Sequence, residues 1–200
     1  MKKLLHVGCG PLTKRNMTPG FNSDDWNEVR LDIDPAVKPD IIGTMLDMRG
    51  VDSQSVDALY SSHNLEHVFP HEVPVVLAEF LRVLKPDGFV VLTCPDLQCV
   101  CEAVVSDRLL EPLYESTVGP ISPIDILYGH RAAIAQGRHY MAHKCGFTYK
   151  TLCSSFEEAG FGSYVGGRRP EFFDLWLMAY KTDTELTQEF RLQQAALYLP

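Results

Sequence analysis

Apolar residues fall into short runs separated by turn residues, and five of these runs predict β-strands. They cover residues 3–7, 26–32, 39–43, 56–61 and 88–94. The fifth run is continuous and rich in β-branched residues, which is typical of a strand covered on both faces. The pattern therefore predicts a largely buried sheet.

Helical periodicity is clearest between the fourth and fifth runs. Apolar residues from Val73 to Leu84 recur at the spacing of a single helical face. A strand, a crossover helix and a second apolar strand indicate a parallel sheet with right-handed connections. End signals predict two further helices. One begins with Ser122 and Pro123 and runs to about residue 135, and the other covers residues 149–159, between a capping Thr148 and Gly160.

The two ends of the chain depart from this alternation. Runs at 161–166 and 172–181 are joined by a short connection and predict an antiparallel pair, followed by a weakly patterned helix from Thr182. Prolines and glycines between Gly10 and Trp26 predict that the first crossover helix is short or replaced by a loop. We expect one domain over residues 1–200, with residues 120–147 inserted as a substrate lid.

Composition narrows the possible partners and compartment. The 200 residues are 46% hydrophobic and 22% charged, as in an ordinary globular domain. The net charge of −8 argues against nucleic acid as the main ligand. Neither a membrane-spanning run nor a signal sequence is evident, so we expect a cytoplasmic protein with no membrane partner. The sequence does not indicate an oligomeric state.

The cysteines suggest free thiols rather than a disulfide framework or a metal site. No Cys-x-x-Cys pair occurs among the six cysteines. The nearby residues His139, His143 and Cys145 lack the paired cysteines of structural zinc sites. The sequence therefore predicts no metal.

Candidate binding residues follow the predicted strands. In open parallel sheets, ligands bind beyond the carboxyl ends of the strands. Gly8-Cys9-Gly10 follows the first strand, and Asp32 lies 22 residues beyond Gly10, where a carboxylate can accept hydrogen bonds from two ribose hydroxyls. Asp47 follows the third strand between Leu46 and Met48, an arrangement suited to adenine. Together these residues predict a nucleoside site.

These segments resemble a known family. Leu5-His-Val-Gly-Cys-Gly10 and Leu31-Asp-Ile-Asp34 resemble the first two motifs of class I S-adenosylmethionine-dependent methyltransferases. The segments at 60–68 and 79–88 resemble the type 11 branch of that family. The resemblance implies a Rossmann-like, mostly parallel seven-stranded sheet with helices on both faces and a C-terminal antiparallel strand pair.

The resemblance also implies S-adenosylmethionine as cofactor and a set of residues around it. That set is His6, Gly8, Cys9, Gly10, Asp32, Ile33, Leu46, Asp47, Met48, Ser62 and His63. Two departures stand out, because family members often carry an acid where His6 stands and a further glycine near Leu12. Either the missing acid weakens binding of the cofactor ammonium, or His6 replaces it through a hydrogen bond.

Two groups of residues are candidates for the chemistry. His63 and His67 follow the fourth strand, where either could act as a general base; the alternative is that they only line the pocket. Tyr128, Arg131 and His143 lie in the inserted segment and could recognise the acceptor, unless that segment is merely a solvated excursion. We expect a small-molecule or glycan-like acceptor, methylated at oxygen or nitrogen.

Two other functions remain open at this point. One is a methyltransferase-fold protein that binds cofactor or a partner without catalysis, because a fold does not determine a function. The other is an NAD-dependent oxidoreductase, which shares the glycine turn and the ribose carboxylate. Its fingerprint requires a glycine where Thr13 stands and a helix opening at the turn, and the prolines here disfavour that helix.

Overall fold

Seven strands form one mostly parallel sheet in the computed structural model, which describes residues 1–116, 118–182 and 187–200. The sheet order is β3-β2-β1-β4-β5-β9-β8. The first five strands in this order are parallel, and β9 is antiparallel to both β5 and β8. The strands are β1 (Lys2–Val7), β2 (Trp26–Asp32), β3 (Ile41–Ile42), β4 (Val56–Ser62), β5 (Leu84–Pro95), β8 (Ser163–Arg169) and β9 (Asp174–Tyr180). The predicted fold class is confirmed, and β8 and β9 are the predicted C-terminal antiparallel pair.

A separate small hairpin and six helices complete the described fold. The hairpin pairs β6 (Tyr114–Ser116) with β7 (Gly119–Ile121). The helices are α1 (Val73–Val83), α2 (Leu97–Val105), α3 (Pro123–Tyr128), α4 (Arg131–Ala135), α5 (Tyr149–Ala159) and α6 (Gln188–Tyr198). Within the described ranges, no helix is both long and apolar enough to cross a membrane.

One face of the sheet is covered by α1 and α5. The predicted apolar stripe of α1 is buried, with Leu77 and Phe80 fully inaccessible. From α5, Leu152 and Phe156 join the same core. The ends of α5 follow the predicted signals, since Thr148 caps its first turn and Gly160 ends it in the left-handed conformation. These two helices hold β4 and β5, whose carboxyl ends carry candidate residues.

An aromatic cluster covers the opposite face of the sheet. The first linker contains only a 3₁₀ turn, Lys14–Asn16, in agreement with the predicted loss of its helix. Phe21 from that linker packs against Tyr198 of α6, with ring centroids 4.7 Å apart, and both lie over Phe89. Of the tail helix predicted from Thr182, residues 183–186 lie outside the described part of the chain. The linker and α6 thus replace the expected crossover helix.

The single helix predicted over residues 122–135 is wrong, because it is two helices, α3 and α4. Gly129 separates them with a φ of +96°, and a Cβ atom there would lie 2.1 Å from the carbonyl oxygen of Met141. The chain must turn here because residue 129 pairs with Ala142. This pairing folds the segment after α2 back on itself over the carboxyl edge of the sheet.

Candidate functional site

A glycine turn after β1 is tied to the end of β2 through a buried carboxylate. Gly8 and Gly10 both have positive φ angles, +66° and +52°. The Gly10 amide donates to Asp32 Oδ2 at 2.7 Å, and the Asp34 amide donates to Oδ1 at 2.8 Å. Asp32 is only 8% exposed. An ionised carboxylate has about four lone-pair positions, so Asp32 can still accept from two ribose hydroxyls. These residues fit the adenosine part of the expected cofactor.

The turn also lies directly against the segment after β4. A Cβ atom on Gly8 would come within 2.3 Å of Asn64 Nδ2, so the Asn64 side chain would have to move, and the φ of +66° would strain any other residue. A Cβ atom on Gly10 would meet no protein atom within 4 Å. Gly8 therefore packs closely against the segment after β4, whereas Gly10 has open space beside it.

His6 is buried and directed toward a carboxylate on the neighbouring strand. Its Nδ1 lies 2.9 Å from Glu28 Oε1, and because a carboxylate only accepts, the ring donates. The Lys14 amide donates to Glu28 Oε2 at 2.9 Å. Burial disfavours the charged form, but these hydrogen bonds prevail and hold the pKa of Glu28 below its ordinary value. An acid is thus present beside His6, on β2 instead of β1.

The residues assigned to adenine differ in orientation. The side chains of Ile33 and Asp47 are 54% and 43% exposed, and both lie near the carboxyl edge. Asp47 pairs with Arg49, whose hydrogen bond lowers the Asp47 pKa. Leu46 packs partly against the core, and Met48 is 1% exposed within it. Ile33 and Asp47 are therefore the residues of this group that present side chains outward.

A small cavity of about 180 Å³ lies beyond the ends of β4 and β5. The segment after β4 contributes His63, Glu66 and His67 to its lining. The inserted segment contributes Ile126, Met141 and His143, among others. A second cavity of about 270 Å³ also contacts Glu66 and His143. A third cavity, of about 670 Å³, lies at the opposite edge beside Lys2 and Tyr198, far from the predicted residues. The two smaller cavities form the candidate acceptor pocket.

Glu66 is the buried charge of this pocket. It is 1% exposed, and neither carboxylate oxygen has a hydrogen-bond partner. The nearest basic group is His63, whose Nδ1 lies 3.6 Å from Oε1 and whose ring is half exposed. Burial opposes charge on both groups, but their attraction lowers the pKa of Glu66 and raises the pKa of His63. His63 itself has a φ of +49°, uncommon for a residue other than glycine.

His67 and His143 meet above Glu66 with their rings edge to face, 4.8 Å apart. His67 Nδ1 lies 3.1 Å from the carbonyl oxygen of Ala142, and His143 Nδ1 lies 2.7 Å from that of Ile126. Carbonyl oxygens only accept, so each Nδ1 carries a proton and the neutral ring keeps its lone pair on Nε2. Burial lowers the pKa of His143, which favours the neutral ring.

The inserted segment contributes unequally to the pocket. His143 lines both cavities and Tyr128 lines the second, although Tyr128 is 65% exposed. Arg131 instead forms a bidentate salt bridge with Asp125, in which Nε and Nη2 donate to the two carboxylate oxygens at 2.7 and 3.0 Å. Tyr140 from the same segment donates its hydroxyl to Asp34 at 2.8 Å and joins the segment to the end of β2, a contact that sequence reasoning missed. Sequence reasoning also missed Glu66, which the spacing His63-x-x-Glu66-His67 could have indicated.

Comparison with known families gives the same assignment as the motifs. The family model described as "Methyltransferase domain", type 11, matches residues 5–92. Residues 5–92 therefore match the type 11 methyltransferase family, in agreement with the sequence motifs. Ser62, half-buried at the end of β4, and His63 beside it lie within this methyltransferase domain. No curated protein sequence matches the chain.

Solved structures share the fold over most of the chain. A Burkholderia thailandensis 1,6-didemethyltoxoflavin-N1-methyltransferase was solved with bound 1,6-didemethyltoxoflavin and S-adenosylhomocysteine. It is 18% identical with a TM-score of 0.56, and the match covers 91% of this chain and 72% of that one. A Thermotoga maritima S-adenosylmethionine-dependent methyltransferase, possibly a histamine N-methyltransferase, is 12% identical with a TM-score of 0.53, over 91% and 83%. A possible exported protein of Bordetella parapertussis is 16% identical with a TM-score of 0.57. The match covers 90% of this chain but only 62% of that protein's chain. At these identities, the likeness establishes the methyltransferase fold.

Proposed function

We propose that this methyltransferase domain binds S-adenosylmethionine and catalyses methyl transfer to a small-molecule or glycan-like acceptor, at oxygen or nitrogen. The observation that carries the proposal is the buried Asp32 carboxylate, which joins the glycine turn to β2 at the carboxyl edge. The family match and the Burkholderia neighbour that binds S-adenosylhomocysteine support the choice of cofactor over NAD.

The residues of the glycine turn and β2 would hold the cofactor. Asp32 would accept hydrogen bonds from the ribose, and Ile33 and Asp47 would contact the adenine. Gly8, Cys9 and Gly10 would present backbone to the methionine part, with Glu28 beside His6 supplying the nearby negative charge. S-adenosylmethionine, when bound, supplies an electrophilic methyl group on a sulfonium sulfur.

His63 is the proposed general base, and His67 is the second candidate. The ring of His63 lies at the mouth of the acceptor pocket, and the charge of Glu66 stabilises that ring when it takes a proton. The modest volume of the pocket supports a small acceptor or a single sugar-sized group. His143 and Tyr128 would contact that acceptor. Arg131, already paired with Asp125, would act by supporting the segment.

Binding calorimetry tests the cofactor assignment. S-adenosylmethionine, S-adenosylhomocysteine and NAD are titrated into the wild-type protein and into Asp32→Ala. Loss of charge-assisted hydrogen bonds worth about 1.5–3 kcal/mol should weaken binding of the first two ligands by roughly tenfold to a hundredfold. Asp24→Ala, which removes an exposed acid near β2, is the matched control and should bind like wild type. Binding of NAD alone would contradict the proposal.

A binding protein without catalysis is the second candidate, favoured by His6 in place of the usual acid. Formation of S-adenosylhomocysteine that depends on an added acceptor separates the two functions. Six free cysteines support placing the protein in the cytoplasm, where thiols stay reduced. The acidic balance of the chain supports an acceptor other than nucleic acid.

A further inference from the structure

An unpartnered, buried carboxylate at the centre of the acceptor pocket requires a counterpart. Leaving an ionised carboxylate out of water without hydrogen bonds is costly, and such groups are paired or bind metal ions. Glu66 is 1% exposed, and both of its oxygens lack a hydrogen-bond partner. His63 is the nearest basic group, but its ring is half exposed and its Nδ1 lies 3.6 Å from Oε1, beyond hydrogen-bond distance. The pair with His63 therefore leaves the second oxygen unsatisfied.

Two histidines lie close to Glu66 in this pocket. Ligand atoms of Glu66, His67 and His143 lie within 4.8 Å of one another. Each histidine directs Nδ1 at a backbone carbonyl, at 3.1 and 2.7 Å, which leaves Nε2 free as an electron-pair donor. Metal-binding histidines in proteins are oriented by this same kind of hydrogen bond from the other ring nitrogen.

We propose that Glu66, His67 and His143 form a binding site for a divalent transition-metal ion of the zinc class. Two imidazoles and one carboxylate are a known ligand set for catalytic zinc, which keeps a further position open for water or substrate. Tetrahedral zinc with bonds of about 2.1 Å separates its ligands by about 3.4 Å, so the three atoms need to approach by no more than about 1.4 Å. Among the described residues this group offers three ligands, so a further position would stay open beside the cavity that all three side chains line.

The metal site would also define the acceptor class. A bound metal lowers the pKa of a coordinated hydroxyl and holds it in place. The open position would then accept an acceptor oxygen or nitrogen, and His67 would be a ligand instead of a base. This statement about the acceptor rests on the proposed function, whereas metal binding by itself does not.

Metal titration of the chelator-treated protein tests the site directly. Zn²⁺ is titrated by calorimetry, and Co²⁺ is added separately so that its visible absorption reports an ordered site of low coordination number. Wild type should bind about one Zn²⁺ per chain. Glu66→Gln, which keeps the shape and removes the charge, and His143→Asn should each bind at least about tenfold more weakly and lose the Co²⁺ band.

Two exposed histidines provide matched controls. His71→Gln and His139→Gln remove an imidazole outside the triad and should bind Zn²⁺ as wild type does. Equal Zn²⁺ binding by wild type and both triad variants, or no binding by wild type, would overturn the site. Circular dichroism and S-adenosylhomocysteine binding of the same samples show whether each variant is folded. Zn²⁺ binding without S-adenosylhomocysteine binding would support the metal site and contradict the proposed function. S-adenosylhomocysteine binding without Zn²⁺ binding would contradict the metal site and leave the proposed function unaffected.

Discussion

Asp32 has a structural task at the residue scale in addition to the role predicted from its position. Its two oxygens accept hydrogen bonds from the amides of Gly10 and Asp34. Asp32 therefore stabilises the glycine turn, beside which it would also bind the ribose. Tyr140 reaches the adjacent Asp34 from the inserted segment, 106 residues away. Spacing from the glycine turn predicted Asp32 correctly as a strand-end acid, but the contact with Tyr140 depends on a fold of the insertion that no local pattern encodes.

Thiol reactivity gives a test at the scale of single residues. Burial raises the pKa of Cys9 and of Cys99 to about 11, and that of Cys145 to about 12. A raised pKa means that these thiols stay protonated near pH 8, and the thiolate is the reactive form. We expect iodoacetamide at pH 8 to modify Cys101 first, because it is the exposed cysteine.

Peptide mapping of the modified sites over time measures this order. Cys101→Ser is the control, and it should abolish the fast phase while leaving the slow modification unchanged. Labelling of Cys9 as fast as that of Cys101 would show that the glycine turn is open to solvent, contrary to the described burial.

At the scale of elements, two polar residues of α1, Glu79 and Arg82, form a clamp that fixes the loop after β3. Glu79 accepts the Met48 amide at 2.7 Å, and Arg82 donates to the carbonyl oxygens of Met48 and Val51, both at 2.9 Å. Glu79 and Arg82 also pair with each other. Helical periodicity predicted the buried side of α1, but the polar side that fixes the Asp47 loop became evident only when the two elements were in contact.

Glu79→Gln should loosen that loop. The hydrogen bond from Arg82 lowers the pKa of Glu79, so its contribution is complete above the ordinary value of 4.5 and is lost as pH falls through the lower folded value. At neutral pH the substitution should cost about 1–2 kcal/mol of unfolding free energy. Urea denaturation at pH 7 and at pH 3 measures this cost, which should shrink at the lower pH.

Amide hydrogen exchange locates the effect of the same substitution. The Met48 amide should exchange faster in Glu79→Gln than in wild type. Glu111→Gln breaks an exposed pair with Arg108 and is the matched control, with no expected change in stability beyond about 0.5 kcal/mol. Equal effects of the two substitutions would mean that the clamp contributes no more than a surface ion pair.

At the scale of the whole molecule, the two faces of the sheet are covered by different means. Helices α1 and α5 cover one face, whereas Phe21 and Trp26 from the first part of the chain and Tyr198 from α6 cover the other. The Thr18 hydroxyl donates to the Tyr198 carbonyl oxygen, and the Gly20 amide donates to that of Leu197. The first linker and the last helix thus stabilise the domain as one unit.

Tyr198→Ala should destabilise the whole domain. Its ring is 6% exposed and packs on Phe21 and Phe89, with centroids 4.7 and 4.9 Å away. Truncating a buried aromatic side chain costs about 3 kcal/mol or more, because a cavity remains. Chemical denaturation monitored by circular dichroism measures the loss.

Leu197→Ala is the neighbouring control, because the Leu197 side chain is 49% exposed and its backbone hydrogen bond is kept. It should change the unfolding free energy by no more than about 0.5 kcal/mol. A loss as small for Tyr198→Ala would mean that α6 is not required for covering the sheet.

The sequence alone determined the parallel sheet, the buried side of α1, the ends of α5 and the strand-end positions of Gly8, Gly10 and Asp32. Each of these features follows from local periodicity, capping chemistry or the rule that ligands bind at the carboxyl edge. The family motifs for the methyltransferase domain are equally local, since they lie within residues 5–92.

Only the tertiary structure decided the break at Gly129 and the meeting of Glu66 with His143. Gly129 lies in a pattern that continues helically on both sides, and the approach of Met141 is what excludes a Cβ atom there. Glu66 resembles a solvated acid between Leu65 and His67 until β5 and the insertion bury it. Burial and the loss of hydrogen-bond partners depend on residues distant in sequence, so local patterns predict where a side chain lies along an element but not what surrounds it.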